Sequence, residues 1–494
     1  MSLTGGAVVP PSSTATVLQA NLAESFAVNL SASTGTLSTL GGEFVAAATA
    51  ANGLPELNSL PGAPTAIYLD FDGEGANAAY DVDGDPATFN ATEAATITEA
   101  WRQVSVYFSM FNVNVTTVKP TVPFAWHVSS PSISGGYSYV GVFPNSTPQS
   151  FNQAGDARTR VSGIVHELGH NFGLQHQSNY DLLGNKTAEY SSGFDSLHGP
   201  LMGVDYAQSV HKWFIGHPSN SASSLQDDIA VIAGKIKARQ TGNADGFRND
   251  DFGGTIATSQ ALTATAGSRS VNGIIERMAD IDAFSFTAGA GGAVISVVPT
   301  KPSGLDAKLE VYDGSGVLVA ASDGATNDQQ IVLPVGAGTW YVMVSSHGDY
   351  GDVGMYDLTV NDLPTGWGSS DVGSVVSPGS AGYDAATGTF TVSGSGADVY
   401  GTADGFRFAH QTLTGDGSIV ARVVQNQNTN AWSKVGVEIR ETLAAGSKHV
   451  AMVTTATNGP QLVSRTSTGG SSTSVNGTAA SFTPTWVRLV RAGN

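Results

Sequence analysis

The sequence predicts a multidomain protein in which one α/β (α+β) domain is followed by two all-β sandwich domains. The chain has 494 residues, which at about 100–200 residues per domain predicts two to four domains. Long helical periods occur only before residue 240, and short apolar segments separated by glycine-rich turns follow it. We expect a leader, linker or pro-segment at 1–63, the α/β domain at 64–240, and sandwiches at 245–362 and 371–494.

The elements of the α/β domain follow from apolar spacing and from turn residues. An apolar run at Thr65–Phe71, between Pro64 and Gly73, predicts a strand. Residues 91–109 carry apolar side chains at helical spacing and predict the first helix. The remaining predicted elements are strands at Asn112–Val118, Phe124–Ser129 and Tyr137–Phe143, and helices at Arg158–Phe172 and Ser224–Lys237.

The two later domains show strand patterns at the spacing of a sandwich. In the first sandwich the predicted strands are Ala283–Thr287, Ala293–Val298, Lys308–Tyr312, Gln330–Pro334 and Thr339–Ser345. In the second they are Thr389–Val392, Ser418–Val424, Lys434–Arg440, His449–Thr454 and Trp486–Val490. The last domain is expected to be incomplete, because the sequence stops directly after a strand.

Composition excludes several kinds of partner and chemistry. Aspartate and glutamate number 41 against 22 lysines and arginines, for a net charge of −19, which argues against nucleic acid or an anionic membrane surface as partner. The absence of cysteine excludes disulfides, thiolate zinc sites and a cysteine nucleophile. No apolar run is long enough to span a membrane. No basic residue precedes Arg102, so no secretory signal is visible in this sequence, but the low charge favours a secreted, extracellular protein.

One segment, residues 166–176, carries residues suited to metal chemistry. His166 and His170 are four residues apart, so on a helix their imidazoles lie on one face and suit tetrahedral zinc. Glu167 is turned about 100° around the helix and can reach a water on the metal as a general base. Gly173 can adopt a positive φ, which would return the chain so that His176 becomes the third ligand. Zinc acidifies the water in the remaining coordination position.

The pattern His-Glu-x-x-His-x-x-Gly-x-x-His resembles that of the metzincin zinc peptidases. Metzincins also have a methionine turn beneath the zinc, and Met202 lies 26 residues after His176, where it would form a soft apolar floor. Some members use a tyrosine two residues after that methionine. Here Val204 stands at that position and the tyrosine is Tyr206, whose role is either a transition-state hydrogen-bond donor or a packed aromatic. Gln177 also departs from snake-venom-type members, which often have aspartate there.

The resemblance implies a secreted zinc-dependent endopeptidase that hydrolyses peptide bonds of a protein or peptide substrate. In metzincins an edge strand above the active-site helix aligns the substrate by strand addition. Tyr137–Phe143 is our candidate for that strand, with Phe124–Ser129 as the alternative. Residues 245–362 resemble a bacterial pre-peptidase C-terminal domain, and 371–494 resemble part of a concanavalin A-like (laminin G-like) domain. Together these features resemble large secreted bacterial proteins of metzincin type.

Three alternatives remain open at this point. The protein could be an adhesion or glycan-binding protein with a vestigial zinc site, in which Trp367, Tyr400 and Trp432 contact a glycan or a cell surface. It could be a zinc hydrolase acting on another bond, or the zinc could be structural, although structural zinc usually has four protein ligands. Calcium is a second candidate cofactor. Asp81–Asp85 and Asn249–Gly253 are either calcium-binding loops or simple turns.

Overall fold

The computed structural model describes residues 45–153, 157–193, 198–203, 210–240, 242, 245–264, 268–288, 292–324, 326–333, 338–364, 366–376, 379–384 and 387–493. Within these ranges the chain is mostly β-sheet, with strands β1–β32 and three α-helices, α1–α3. None of the helices in this described part has the length and apolar character needed to cross a bilayer.

The first region, residues 45–240, contains all three α-helices of the described chain. They are α1 (Ala91–Tyr107), α2 (Ala157–Phe172) and α3 (Asp228–Lys237). Its main-sheet strands are β1 (Val45–Thr49), β2 (Pro55–Asn58), β3 (Ala66–Asp70), β4 (Asn114–Thr116), β5 (Phe124–Ser130), β6 (Gly136–Ser138) and β7 (Ser150–Gln153). Short pairs follow at β8 (Asn179–Tyr180), β9 (Lys186–Ala188), β10 (His198–Pro200), β11 (Val210–Lys212), β12 (Ile215–Gly216) and β13 (Gln226–Asp227).

The seven main strands form one mixed sheet in the order β1-β2-β4-β3-β5-β7-β6. Its centre is parallel, since β3 pairs in parallel with β4 and β5, and β5 with β7. The last strand, β6, is antiparallel to β7 and lies at the edge. Helix α2 packs against β5, β6 and β7, while α1 packs against α2, β2 and β4. The sheet edge at β6 therefore lies beside α2.

Helix α1 begins where its sequence provides a cap. The Asn90 side chain accepts hydrogen bonds from the backbone N–H groups of Thr92 and Glu93, at 2.7 and 3.1 Å. The Glu93 carboxylate accepts one in return from the Asn90 N–H at 2.8 Å, which completes a capping box. The apolar face of the helix, which includes Ile97 and Val104, is fully buried, so cap and core both fix its position.

The second region forms two facing sheets that we call the first sandwich. One sheet has the order β14-β16-β21-β18-β19 and the other β15-β22-β17-β20. The strands are β14 (Gln260–Ala261), β15 (Ser268–Ile275), β16 (Ile281–Ala288), β17 (Ala293–Pro299), β18 (Ala307–Tyr312), β19 (Leu318–Ser322), β20 (Gln329–Leu333), β21 (Gly338–Ser346) and β22 (Gly354–Asp362), after a 3-10 turn at Ile256–Thr258. Alternating buried residues fill the space between the sheets.

The third region consists of four smaller sheets, paired as β23-β26, β24-β25, β27-β32 and β28-β29-β30-β31. Its strands are β23 (Gly368–Val372), β24 (Ser380–Asp384), β25 (Thr389–Ser393), β26 (Phe406–His410), β27 (Gly417–Val423), β28 (Lys434–Arg440), β29 (His449–Thr455), β30 (Pro460–Arg465), β31 (Thr473–Asn476) and β32 (Thr485–Arg491). Buried valines, alanines and phenylalanines form three small cores here, one of which also includes Leu363, and Val294 of the first sandwich.

Candidate metal centre

Helix α2 is anchored by one fully apolar face and carries the candidate ligands on another. Val165, Leu168 and Phe172 are completely buried among α1 and the sheet. His166 and His170 project from a different side of the helix, with ring centroids 4.9 Å apart. The apolar anchoring thus fixes the helix rotation that sets both imidazoles.

The helix ends at a glycine that reverses the chain. Gly173 has φ +108°, the left-handed conformation that the sequence predicts, and a side chain would be strained there. Its N–H donates to the His170 carbonyl at 2.9 Å, and the Leu174 N–H donates to the Gly169 carbonyl at 3.0 Å. The turn brings the His176 ring to 4.8 Å from that of His170 and 5.2 Å from that of His166.

Each histidine uses its Nδ1 atom to bind the protein. The Nδ1 of His166 donates to the Leu201 carbonyl at 2.8 Å, and that of His170 to the Leu174 carbonyl at 2.7 Å. The Nδ1 of His176 lies 2.8 Å from a carboxylate oxygen of Glu189. Carbonyls and carboxylates only accept, so these Nδ1 atoms carry a proton, and Nε2 is the atom of each ring that is available to a metal.

The three side chains fit a zinc ion. One ligand-capable nitrogen from each of His166, His170 and His176 lies within 4.8 Å of the other two. Burial and the neighbouring imidazoles lower the pKa of His166 to about 3, and burial lowers that of His170. Neutral imidazoles with oriented tautomers are the form that binds zinc, and three ligands leave a position open.

Glu167 lies beside the three histidines and under the sheet edge. Burial raises the pKa of Glu167 to about 7, and a nearby dication would lower it again. Its carboxylate makes no hydrogen bond within the described residues, so both oxygens can take a proton. A side chain at Gly136 would meet Glu167 Oε1 at 2.5 Å. Only glycine lets β6 cross so close to this carboxylate.

Met202 packs against α2 at Gly169, while two other predicted positions lie outside the described residues. The Met202 side chain is fully buried, and its Sδ lies where a side chain at Gly169 would be, between the first two histidines in sequence. The Met202 carbonyl accepts from the Gln177 N–H at 2.7 Å, which ties this turn to the segment after His176. Val204 and Tyr206 are among the residues that the structure does not describe.

The structure adds two residues that sequence reasoning missed. Glu189 orients His176, and its other oxygen binds Lys186 at 2.6 Å. The ring of Tyr190 lies 4.4 Å from that of His176 and 6.4 Å from that of His166, so it forms a wall of the site. Neither position follows from the motif spacing, because both depend on how the β8–β9 hairpin folds back.

The edge strand next to the site is shorter than predicted. Of the predicted strand Tyr137–Phe143, only Tyr137 and Ser138 are strand, and β6 begins at Gly136. Beyond it, the N–H groups of Gly141 and Phe143 donate to the His170 and Asn171 carbonyls at 2.8 and 3.0 Å. The alternative, Phe124–Ser129, is a central strand between β3 and β7 and has no free edge.

A second group of candidate ligands lies where the first region meets the first sandwich. We call it the acidic cluster: Asp250, Asp251, Glu276, Asp280 and Asp282. Glu276 and Asp282 are fully buried, and both Glu276 oxygens and one Asp282 oxygen have no hydrogen-bond partner in the described structure. Burial raises the pKa of Glu276 to about 11, of Asp282 to about 9 and of Asp251 to about 7. Buried, unpartnered carboxylate oxygens fit a calcium ion.

The other calcium candidate and the predicted aromatic face have local explanations. In the Asp81–Asp85 loop, Asp81 accepts from the N–H groups of Asp83 and Gly84, as in an ordinary turn. Trp367 does not join an exposed face, because it packs on Phe390 with ring centroids 4.5 Å apart.

Tyr400 and Trp432 lie closer together than their sequence separation suggests. Both rings are about 6 Å from the Lys434 ammonium, at 6.0 and 5.9 Å, and both are more than a third exposed. The same ammonium binds Asp398 at 2.5 Å. Two exposed aromatics and the partly exposed Asp398 therefore share one surface of the third region, with the buried Lys434 side chain beneath them.

Comparisons with known proteins identify one domain. Residues 280–346 match the family model described as bacterial pre-peptidase C-terminal domain. The solved pre-peptidase C-terminal domain of collagenase from Bacillus anthracis is similar at 20% identity, covering 20% of this chain and 90% of that chain, with a TM-score of 0.17. No curated protein matches the chain.

Two further solved structures are similar at low identity. PliG from Salmonella Typhimurium, a periplasmic inhibitor of g-type lysozyme, has 17% identity over 21% of this chain and 97% of its own, with a TM-score of 0.15. A DUF4785 family protein from Legionella pneumophila has 11% identity over 46% and 69% of the two chains, with a TM-score of 0.13. The chain thus contains a bacterial pre-peptidase C-terminal domain at residues 280–346 within a mostly β structure.

Proposed function

We propose that this protein is a secreted zinc-dependent endopeptidase of metzincin type, whose catalytic unit is the α/β region 64–240. The observation that carries the proposal is the convergence of three imidazoles, each anchored through Nδ1, beside a buried carboxylate that has no described partner. The match of residues 280–346 to the bacterial pre-peptidase C-terminal domain supports it.

The roles of the residues follow from their positions. His166, His170 and His176 would hold the metal through Nε2. A zinc ion bound there would supply Lewis acidity, which acidifies water and polarises a substrate carbonyl. Glu167, whose carboxylate has no described partner, would take the proton from the attacking water and return it to the leaving amine. Met202 supports the histidines from below. We keep Tyr206 as a candidate hydrogen-bond donor to the transition state.

The sheet edge provides a place for an extended polypeptide. Strand β6 lies at the edge of the seven-stranded sheet and passes over Glu167 at Gly136. A peptide that adds to this edge as a further strand would place its backbone carbonyls along the row that leads past Glu167. This geometry favours a peptide substrate over a small ester.

The proposal is tested by a casein or gelatin digest with wild type and Glu167→Ala, each with and without a chelator. We expect wild type to cleave, the chelator to stop cleavage, and Glu167→Ala to lose about 10²–10⁴-fold in rate while it keeps its zinc. The control is Glu99→Ala on α1, where Glu99 pairs with Arg102 at 2.7 Å. Cleavage at the wild-type rate by Glu167→Ala would sink the mechanism.

A second candidate function is glycan binding by the third region. The exposed pair Tyr400 and Trp432 offers stacking faces, and the partly exposed Asp398 carboxylate beside them offers a polar group of the kind that sugars use. Glycan arrays with wild type and with Trp432→Ala test it, and the candidate fails if the two give the same pattern.

We also propose a structural calcium ion in the acidic cluster. Asp250 and Asp251 precede the first sandwich, while Glu276, Asp280 and Asp282 belong to its β15–β16 connection and the start of β16. An ion bound by both segments would neutralise the buried carboxylates and lock the entry of the chain into the sandwich.

A further inference from the structure

The first sandwich is in intimate contact with the catalytic region next to the candidate metal centre. Two of its loops lie against Lys212 and Trp213, which follow the methionine turn. A side chain at Gly304 would meet the Cβ of Lys212 at 2.7 Å, and one at Gly351 would overlap the Trp213 carbonyl oxygen. The loops at Gly304 and Gly351 therefore pack directly against residues 212 and 213, so the two regions share a close interface.

One buried ion pair crosses this interface. The Lys212 ammonium on β11 lies 2.6 Å from an Asp352 oxygen of the sandwich, and their side chains are 2% and 1% exposed. The other Asp352 oxygen accepts from the Asp349 N–H at 3.0 Å. Removing one partner of a buried ion pair is strongly destabilising, so Asp352 contributes to fixing the position of Lys212.

Lys212 is linked to the first histidine through a single residue. The Lys212 carbonyl accepts from the Leu201 N–H at 3.1 Å, and the Leu201 carbonyl accepts from His166 Nδ1 at 2.8 Å. The sandwich therefore reaches the tautomer and orientation of His166 through Asp352, Lys212 and Leu201.

A second contact reaches the third histidine by a different path. The Tyr350 hydroxyl of the sandwich donates to Asp227, the residue that caps α3 by accepting from the Ala230 N–H at 2.7 Å. The neighbours of Asp227 in sequence, Gln226 and Asp228, bind the residues on either side of His176.

Gln226 and Asp228 grip the residues on either side of His176. The Gln226 side chain accepts from the Gln175 N–H at 2.8 Å and donates to the Gln175 carbonyl at 2.9 Å. The Gln177 side chain donates to both Asp228 oxygens at 3.1 Å. The segment 226–228 thus fixes the loop that carries His176 through hydrogen bonds, and Tyr350 of the sandwich binds the middle residue of that segment.

We propose that the first sandwich is a structural part of the metal centre, in which Asp352 and Tyr350 are positioning residues for His166 and His176. The inference rests on the proposed zinc binding by the three histidines. Partners one step beyond the ligands typically change metal affinity 10–100-fold when removed. Asp352 and Tyr350 act from further out, so we expect a change of about 3–10-fold.

The test uses the full chain with Asp352→Asn, Tyr350→Phe and a matched control, Asp362→Asn. Asp362 pairs with Arg269 at 3.0 Å within the first sandwich and touches neither histidine path. Zinc affinity is measured by competition with a chromogenic chelator near neutral pH, and the cobalt-substituted proteins give electronic spectra that report ligand geometry. We expect weaker zinc binding and shifted cobalt bands for Asp352→Asn, a smaller change for Tyr350→Phe, and wild-type behaviour for the control.

Zinc affinities within twofold of wild type and unchanged cobalt spectra for both variants would overturn the inference. If Asp352→Asn does not fold, Tyr350→Phe, which loses only a hydroxyl, decides the matter with the same two outcomes. If wild type itself binds no zinc, the proposed function falls and this inference falls with it. If wild type binds zinc and both variants bind it with wild-type affinity, this inference is wrong and the proposed function stands.

Discussion

The candidate metal centre and the acidic cluster differ in how the chain assembles them. All three histidines come from the eleven residues 166–176, so one helix and one glycine turn are enough to gather them. The carboxylates of the acidic cluster come from two separate segments, 250–251 and 276–282, which meet only when the first sandwich closes. The comparison shows that local sequence alone predicts the candidate metal centre, whereas the acidic cluster depends on tertiary packing.

The two sites also differ in their outer contacts. Every histidine Nδ1 has a protein partner, so the histidine site is oriented before any ion arrives. In the acidic cluster, the Glu276 oxygens have no described partner, so its stability depends on what neutralises them. We therefore expect the histidine site to respond to changes through activity and affinity, and the acidic cluster through stability.

Among residues that are neither proposed ligands nor the proposed base, the largest effect on the histidine side is expected from Gly136→Val. The new side chain would occupy the space of Glu167 Oε1 and displace the proposed base, so we expect cleavage to fall about 10²-fold, within the range for loss of a general base. Zinc content should not change, since no histidine moves. Kinetics and metal analysis on the purified variant check this.

Gly163→Ala is the matched control for that variant. Gly163 lies on the same helix as the histidines, and the nearest atom to an added Cβ would be Asn152 Nδ2 at 3.8 Å, an ordinary contact. It should cleave at the wild-type rate. Equal activity of Gly136→Val and wild type would show that β6 does not border the reacting groups.

The next effect concerns the acidic cluster and should appear only in stability. Removing calcium should lower the melting temperature of wild type, because the ion neutralises buried carboxylates. Glu276→Gln removes one of these carboxylates, so its melting temperature should depend less on calcium. We expect calcium to raise the wild-type Tm by about 5–10 °C and to raise that of Glu276→Gln by much less. Differential scanning calorimetry with and without calcium measures both.

The pH dependence of that effect has a definite sign. Burial raises the folded-state pKa of Glu276 to about 11 and of Asp282 to about 9, while both ionise near pH 4 when unfolded. The stability that their protonated forms contribute is full below about pH 4 and is lost as pH rises through 9 and then 11. Calcium-free protein should therefore melt lower at pH 9 than at pH 6, and calcium should reduce that difference. If the Tm of the calcium-free protein rises between pH 6 and pH 9, the interpretation of Glu276 and Asp282 as buried, protonated carboxyls is wrong.

The smallest expected effect is on zinc affinity through Glu189→Gln. The carboxylate that orients His176 is partly exposed and also binds Lys186, so its loss is buffered by solvent. We expect zinc binding to weaken about threefold to tenfold, with unchanged Tm. Affinity equal to wild type would mean that the His176 tautomer does not depend on this contact.

How far the sequence predicts the structure varies with the range of the contacts involved. Helices α1 and α2 were predicted within two residues of their observed bounds, and the left-handed turn at Gly173 was predicted too, because apolar spacing and glycine are local signals. Helix α3 begins four residues later than the predicted Ser224, since β13 (Gln226–Asp227) and the cap at Asp227 precede it. The match at 280–346 confirms the resemblance to a pre-peptidase C-terminal domain. The metzincin resemblance stays a prediction, carried by the histidine geometry.

The misses arise where polar residues are buried or where long-range contacts redirect the chain. Strand β7 was not predicted, since Ser150 and Asn152 are polar; they are buried because they bind the two nitrogens of the fully buried His127, at 2.6 and 3.0 Å. The predicted strand Tyr137–Phe143 stops early because the N–H groups of Gly141 and Phe143 donate to carbonyls in the last turn of α2 instead of to a neighbouring strand. Neither event has a signature in local spacing.

The most direct test of the account is a zinc titration of metal-free wild-type protein while peptide-bond cleavage is followed. The account predicts no cleavage without metal, a linear rise, and a plateau at one zinc per chain, with His170→Ala inactive throughout. Cleavage that is independent of zinc, or a chain that binds no zinc at the three histidines, would contradict it.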